Sequence, residues 1–169
     1  MTLIKSKYYF EALDFYPYNL AECIEALNYA LAYEPEDSDS LCLMGRIYSE
    51  QLKNYETAKQ YFEEAMLCDI ANLNVPQYYI NCLLANEDYR EAEKLINYSL
   101  KIKGIDKSNL WFYRALLSEK RGSLSNALKF LDKAAKYSYN AHSLDFIKSR
   151  KKFIKSKMPK KTKKSKETI

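Results

Sequence analysis

The sequence has few residues that interrupt a helix. It contains three Gly and four Pro among 169 residues, and these two residue types are the strongest signals for turns and loops. The long stretches between them are rich in Leu, Ala, Lys and Glu, which favour helix. The composition therefore predicts an all-α protein that forms one compact domain or a short repeat array.

The sequence also lacks a long apolar run. A membrane-spanning helix needs about 20 predominantly apolar residues in succession, and no stretch of this sequence provides them. The segment from Met1 to Phe10 reaches charged residues before it could form the apolar core of a signal peptide. We therefore expect a soluble, cytoplasmic protein without stable membrane insertion.

Signatures of metal sites and of catalysis are scarce. The only histidine is His142, and there is no C-x-x-C pair, whereas zinc sites are built from clustered Cys and His. There is no Gly-rich phosphate-binding loop either. The sequence predicts no metal site, no cofactor and no enzymatic activity. The four cysteines lie in apolar helical patterns and are expected to be reduced and buried: Cys23, Cys42, Cys68 and Cys82.

What the sequence does contain is an internal repeat. Segments that start at Tyr55, Tyr89 and Leu124 share one pattern: an aromatic residue or Leu, two polar residues, Ala, three residues, a large apolar residue, two residues and a small residue. A further copy starts at Leu20, with Cys in place of the Ala. The small positions of successive copies are 34 or 35 residues apart: Cys23, Ala58, Ala92 and Ala127, then Ala30, Ala65, Ser99 and Ala134.

This pattern resembles the tetratricopeptide repeat (TPR), a unit of about 34 residues that folds into two antiparallel helices. The resemblance implies an α-solenoid of four TPR-like helix pairs plus a C-terminal capping helix, because no pair can bury its apolar stripe alone. A plain helical bundle would lack this period. The implied array covers residues 1–157, with repeats at about 5–35, 39–72, 74–104 and 108–139, a capping helix at 142–157 and a basic disordered tail at 158–169.

The first helices of the repeats match the family less closely than the second helices do. Gly45 and Ala115 occupy the small position in the second and fourth units. Ile80 stands there in the third unit and Glu11 in the first. We therefore expect the local packing of these two units to depart from that of the family.

The segment after the fourth repeat has the spacing of an amphipathic helix. Phe146, Ile147, Phe153 and Ile154 fall on one side of it, and basic residues fall on the other. We interpret it as the capping helix that covers the end of the array. The alternative is a helix that lies on an anionic membrane surface.

Basic residues are concentrated at the C-terminal end. Positions 148–166 hold 11 Lys or Arg, whereas positions 1–147 carry 16 basic and 21 acidic residues, a net charge of −5. Past Met158 this basic end is expected to be disordered, and it either improves solubility or contacts an anionic partner such as nucleic acid or lipid. The candidate residues are Lys151, Lys152, Lys155, Lys160, Lys161, Lys163 and Lys164.

In the TPR family, the first helix of each unit lines a concave groove that receives a peptide or a partner helix. Matching the inward-facing positions of the family onto this sequence gives candidates whose amides could bond a peptide backbone, with an aromatic anchor. They are Arg46, Ser49, Glu50, Gln77, Asn81, Asn109, Phe112 and Glu119, beside Asp39, Cys42, Asn74, Leu84 and Leu116, with Tyr8, Ala12 and Phe15 as a weaker extension. Any one of them could instead be an ordinary solvated residue.

The function that follows is that of a TPR scaffold or adaptor. It would bind a protein or peptide partner in its groove as part of a larger complex. Two alternatives stay open on the sequence alone. One is a nucleic-acid- or ribosome-associated factor that acts through the basic tail, and the other is a structural repeat protein that assembles into homo-oligomers.

Overall fold

The structure is a computed structural model of the chain, and it describes residues 6–159. These residues form nine α-helices and no strand. The helices are α1 (Lys7–Phe15), α2 (Leu20–Tyr33), α3 (Ser38–Arg46), α4 (Tyr55–Cys68), α5 (Val75–Ala85), α6 (Tyr89–Ser99), α7 (Lys107–Lys120), α8 (Leu124–Tyr137) and α9 (Ala141–Lys157). A π-helical turn, Ile47–Gln51, continues α3. The tail candidates Lys160, Lys161, Lys163 and Lys164 lie outside the described residues.

Side-chain caps fix where several helices begin. The Asp37 carboxylate accepts a hydrogen bond from the Ser40 backbone N–H at 3.2 Å, and the Asp106 carboxylate accepts one from Asn109 at 3.1 Å. Asn140 caps α9 in the same way. Each cap satisfies a backbone donor that the first helical turn leaves without a partner. Short polar side chains at these positions therefore set the boundaries of the helices.

The chain divides between Ile105 and Asp106 into two compact units. In the N-terminal unit α1 packs on α2, α3 on α4, and α5 on α6. In the C-terminal unit α7 packs on α8, and α9 packs on α8 as well. The predicted fold class, an all-α protein of four helix pairs followed by a C-terminal helix, is confirmed. The exact repeat boundaries given above stay a prediction.

The repeat positions in the second helices are sites of close packing. All eight small residues are buried, and so are the large apolar residues between them: Leu27, Phe62, Ile96 and Leu131. Small side chains allow two helix axes to approach, and the large residue fills the adjacent space. Ser99 departs from the pattern, since its buried hydroxyl has no hydrogen-bond partner among the described residues.

Gly45 of α3 lies in close contact with Phe62 of α4. A Cβ atom at this position would lie 2.8 Å from two ring atoms of Phe62. The Phe62 ring is completely buried and stacks on Tyr79 with 5.5 Å between the ring centroids. An added methyl group would therefore have to displace this buried ring, so packing favours glycine here.

Three of the four cysteines are buried, as expected, but Cys68 is exposed. Burial raises the pKa of the Cys42 thiol to about 12, so this thiol stays protonated at neutral pH. The expectation that Cys68 is buried is wrong. It is the last residue of α4, one turn beyond the last buried position of that helix, Ala65.

The cap is formed by two of the four predicted apolar residues. Ile147 and Ile154 are buried against Ala127, Leu131 and Ala134 of α8. Phe146 and Phe153 precede them by one position each and remain 58% and 49% exposed, which corrects the expectation that all four share one buried side. One residue corresponds to about 100° around a helix, so the two Phe side chains point away from that contact. No helix of residues 6–159 has the length and apolar character to cross a membrane.

We predict that Gly45→Ala lowers the free energy of unfolding by about 1–2 kcal/mol. Overpacking a buried site costs about 1–3 kcal/mol, and the better helix propensity of Ala returns up to about 1 kcal/mol. Urea denaturation followed by circular dichroism measures the change. In a Phe62→Leu background the same substitution should cost less, because the shorter side chain leaves room for the added methyl group. An equal cost in both backgrounds would show that Phe62 is not the cause.

Candidate functional site

The first helices of the N-terminal unit enclose a pocket of about 200 Å³. Its lining combines apolar and aromatic side chains with one carboxylate, one amide and one guanidinium group. The lining residues are Tyr9 and Leu13 of α1, Asp39, Cys42, Leu43 and Arg46 of α3, Asn74 immediately before α5, and Tyr78 of α5. Asp39, Cys42, Arg46 and Asn74 are among the residues matched to the groove in the sequence. The four others were not selected, because their inward positions depend on how three helices pack.

Arg46 is the most constrained residue of this pocket. Its guanidinium carbon lies 4.7 Å from the ring centroid of Tyr16 and 4.1 Å from that of Tyr78. The Arg46 Nε donates a hydrogen bond to Glu50 Oε1 at 3.1 Å, and the Tyr16 hydroxyl donates one to the other oxygen of Glu50. Two aromatic faces and a carboxylate therefore hold the cation in one position.

The charges around Arg46 follow from this arrangement. Burial alone would lower the pKa of Arg46, but the hydrogen bond and negative charge of Glu50 raise it above its ordinary value. Burial and then Glu50 also raise the pKa of the Tyr16 hydroxyl. The arginine therefore stays charged and the tyrosine stays neutral at physiological pH. Because Glu50 balances the charge of Arg46, the pair contributes fixed geometry more than net charge.

The other groove candidates of the N-terminal unit differ in accessibility. Ser49 is only 6% exposed, so little of its side chain is within reach of a partner. Gln77 is half-buried, and Asn81, one turn further along α5, is exposed. The two amide side chains therefore lie on the same side of α5, with that of Asn81 accessible and that of Gln77 partly covered.

A second cavity of the N-terminal unit, of about 410 Å³, is acidic. Glu34, Glu36, Asp37, Asp39 and Asp69 contribute to its lining. Asp39 Oδ1 accepts a hydrogen bond from Asn72 Nδ2 at 2.7 Å, which ties the loop after α4 to the start of α3. Within residues 6–159, no group of three or more His, Cys, Asp or Glu side chains is arranged to hold a metal ion.

In the C-terminal unit, two groove candidates contact α9. The Phe112 ring lies 5.2 Å from that of Phe146, centroid to centroid. Glu119 accepts hydrogen bonds from Arg150 Nε at 3.1 Å and Lys157 Nζ at 2.7 Å, and its side chain is only 9% exposed. Asn109 is half-buried at the start of α7.

The sequence contained a signal for these contacts of α9. This helix begins at Ala141, 34 residues after Lys107, where α7 begins. It therefore stands one repeat length after a first helix, where the first helix of a further unit would start. Residues of α7 that face a neighbouring first helix are then expected to meet α9.

Burial alone would raise the pKa of Glu119, but the hydrogen bonds and positive charges of Lys157 and Arg150 outweigh burial and hold this pKa below its ordinary value. The carboxylate therefore contributes stability while it is ionised. Since the two cations belong to α9, this contribution holds α9 against α7.

Comparisons with known proteins support the fold. Neither a protein-family model nor a curated protein sequence matches this chain. A solved structure described as "MamA RS-1 ArsTM double mutant" is similar, with a TM-score of 0.59 and 17% identity over 80% of this chain and 78% of that chain. A tetratricopeptide repeat protein from Parabacteroides merdae ATCC 43184 has a TM-score of 0.44 and 18% identity over 87% of this chain and 67% of that one. MamA is a TPR protein, so the likeness to it shows a TPR-like fold.

We predict that acid weakens the attachment of α9. A carboxylate whose pKa is lowered by folding stabilises the fold fully at pH values above its ordinary pKa, which is 4.5 for Glu. This contribution is lost as the pH falls through the lower pKa of the folded state. Glu119→Gln should lower the free energy of unfolding by about 1 kcal/mol at neutral pH, and the difference from the unaltered chain should shrink as the pH falls below 4.5 and through the lowered folded-state pKa. Denaturation at a series of pH values measures this.

Asp145→Asn is the matched control for this experiment. Asp145 is exposed and lies 3.6 Å from Lys148 on the same helix, a pair of little energetic value. Its substitution should change the unfolding free energy little at any pH. A loss of stability in Glu119→Gln that does not depend on pH would contradict the assignment to Glu119.

Proposed function

We propose that this chain, an all-helical protein with a TPR-like fold, is a scaffold that binds an extended segment of a partner protein. The binding site in this proposal is the pocket formed by α1, α3 and α5. The observation that supports it most directly is that three successive first helices contribute apolar and polar side chains to one open pocket of about 200 Å³. Concave sites lined by apolar groups with a few placed polar groups are typical of ligand binding.

The chemistry of the pocket favours an apolar anchor residue in the partner. Leu13, Leu43 and the ring of Tyr9 offer apolar surface, and the volume suits a single medium-sized side chain. Asp39 and Asn74 at the same pocket offer polar groups to the backbone on either side of that anchor. Binding in this way combines a buried anchor with hydrogen bonds to an extended chain.

Arg46 has a positioning role in this proposal. The guanidinium group is held between Tyr16 and Tyr78, so it loses little conformational freedom when a partner binds. A preorganised side chain of this kind improves affinity because less entropy is lost on association. Glu50 completes the arrangement, while Gln77 and Asn81 of α5 extend the polar surface along the proposed path of the peptide.

Within the C-terminal unit taken by itself, Asn109 and Phe112 of α7 stay the candidate residues for contact with a partner. Both side chains remain partly exposed and could supply an amide and an aromatic contact. Glu119 has a different role here, because its carboxylate is engaged by Arg150 and Lys157. We propose that Glu119 holds α9 in place and contributes little to partner binding directly.

A charge placed at the pocket should weaken partner binding. Leu13 is 38% exposed and lines the pocket, so Leu13→Arg should weaken binding at least about tenfold by burying an unpaired cation in the contact. The partner is first captured from an extract of the source cells with the intact chain. Isothermal titration calorimetry of the purified partner then measures the dissociation constant.

Leu67→Arg is the matched control. Leu67 is an exposed leucine of the same unit that does not line this pocket. It should leave the affinity within about twofold of the unaltered chain, well under the energy of a central contact. Equal binding by the two variants would contradict the pocket as the site. Turnover of a small molecule without any protein partner, or a molecular mass that rises with concentration in light scattering, would contradict the adaptor function itself.

A further inference from the structure

Helix α9 carries a large excess of positive charge. Six of its 17 residues are Lys or Arg, and Asp145 is its one acidic residue. The carboxylates that neighbour it are few. Lys148 pairs with Asp145, Lys151 with Asp132 of α8, and both Arg150 and Lys157 with Glu119. Three carboxylates therefore face six cations.

Lys152 and Lys155 account for most of the remaining positive charge. Neither of them makes an ion pair with any residue in the 6–159 range that the structure describes. Both side chains are exposed, and they are three positions apart, which places them on the same side of α9. They are available to a ligand without the loss of an existing contact.

Four lysines of α9 surround one shallow cavity of about 310 Å³. Its lining consists of Lys148, Lys151, Lys152 and Lys155. Within this group, Lys148 and Lys152 are four residues apart, as are Lys151 and Lys155, and like charges at this spacing repel each other on a helix. A bound anion would remove that repulsion. The arrangement therefore favours a ligand with several negative charges in a row.

The aromatic residues of α9 bear on which polyanion fits. Phe146 contacts Phe112, and Phe153 lies under Lys157 and Arg150, whose charged groups are 4.2 and 5.3 Å from its ring centroid. By the 100° step of a helix, both Phe residues lie on a different side of α9 from Lys152 and Lys155. Insertion into a lipid surface would need apolar groups beside the lysines, and base stacking would need an aromatic ring among them. Because they lie on another side of the helix, Phe146 and Phe153 meet neither requirement.

We propose that the four-lysine cavity of α9 binds the phosphodiester backbone of a nucleic acid, without sequence preference. Each lysine–phosphate contact releases condensed counterions, so the affinity is electrostatic and falls steeply with salt. The site lies on a different helix from those that form the proposed peptide pocket. All four lysines of this site precede Pro159.

The test is the binding of a labelled single-stranded RNA of about 16 nucleotides to the full chain, measured by fluorescence anisotropy. Lys152→Gln/Lys155→Gln should weaken binding about tenfold or more. It should also reduce the slope of log affinity against log salt by about 1.4, since each lost contact with a single strand contributes about 0.7. Lys152→Arg/Lys155→Arg should retain the affinity, because arginine also neutralises phosphate.

Lys129→Gln/Lys136→Gln is the matched control, because it removes two exposed positive charges from α8 and changes the net charge by the same amount. It should alter RNA affinity by less than about threefold, as expected for a change in long-range attraction alone. Equal losses in both double variants would overturn the proposal. It would also be overturned if Lys152→Gln/Lys155→Gln bound as tightly as the unaltered chain, or if the chain bound phosphatidylserine vesicles but not RNA.

Discussion

The close approach of paired helices at small side chains is the constraint on which the rest of the structure depends. In the second helix of each pair, Cys or Ala recurs at one position and Ala or Ser recurs seven residues later, and all of these side chains are buried. A large apolar residue sits between them each time. This repeated arrangement lets short helices bury enough apolar surface to be stable, although none of them could be stable alone in water.

The same constraint creates the surfaces to which we assign binding. Since the second helices use their small residues for packing, the first helices α1, α3 and α5 keep a side on which polar and aromatic residues can collect. Arg46 shows the result, since its guanidinium group contacts the rings of both Tyr16 and Tyr78. At the other end of the chain, Ile147 and Ile154 attach α9 to α8, and this attachment turns a row of lysines outward.

The sequence was sufficient to predict the features that recur along it. The repeat spacing and the resemblance to the TPR family predicted four helix pairs and a closing helix. Features that depend on one particular contact were harder to predict. The pairing of Glu119 with Arg150 and Lys157 joins residues more than 30 positions apart. The repeat period indicates that α9 meets α7, but it does not identify which side chains pair.

The wrong expectations have equally specific causes. For Phe146 and Phe153, the amphipathic pattern identified a wide apolar stripe, but the contact with α8 accommodates only the isoleucines next to them. For Cys68, an apolar sequence context suggested burial, yet the residue is the last one of α4 and lies one turn beyond the last buried position of that helix. The sequence pattern predicts which side of a helix is apolar with an uncertainty of about one residue, or about 100° of rotation. A shift of that size is enough to change a side chain from buried to exposed.

The central claim is that equivalent small residues in different repeats serve the same packing purpose. The most direct measurement is the free energy of unfolding of Ala58→Leu and Ala127→Leu, compared with Ala32→Leu at an exposed helical position. The two buried substitutions should each lower the stability by about 1–3 kcal/mol, and the exposed one should change it by no more than about 0.5 kcal/mol. Equal tolerance of leucine at all three positions would contradict the account.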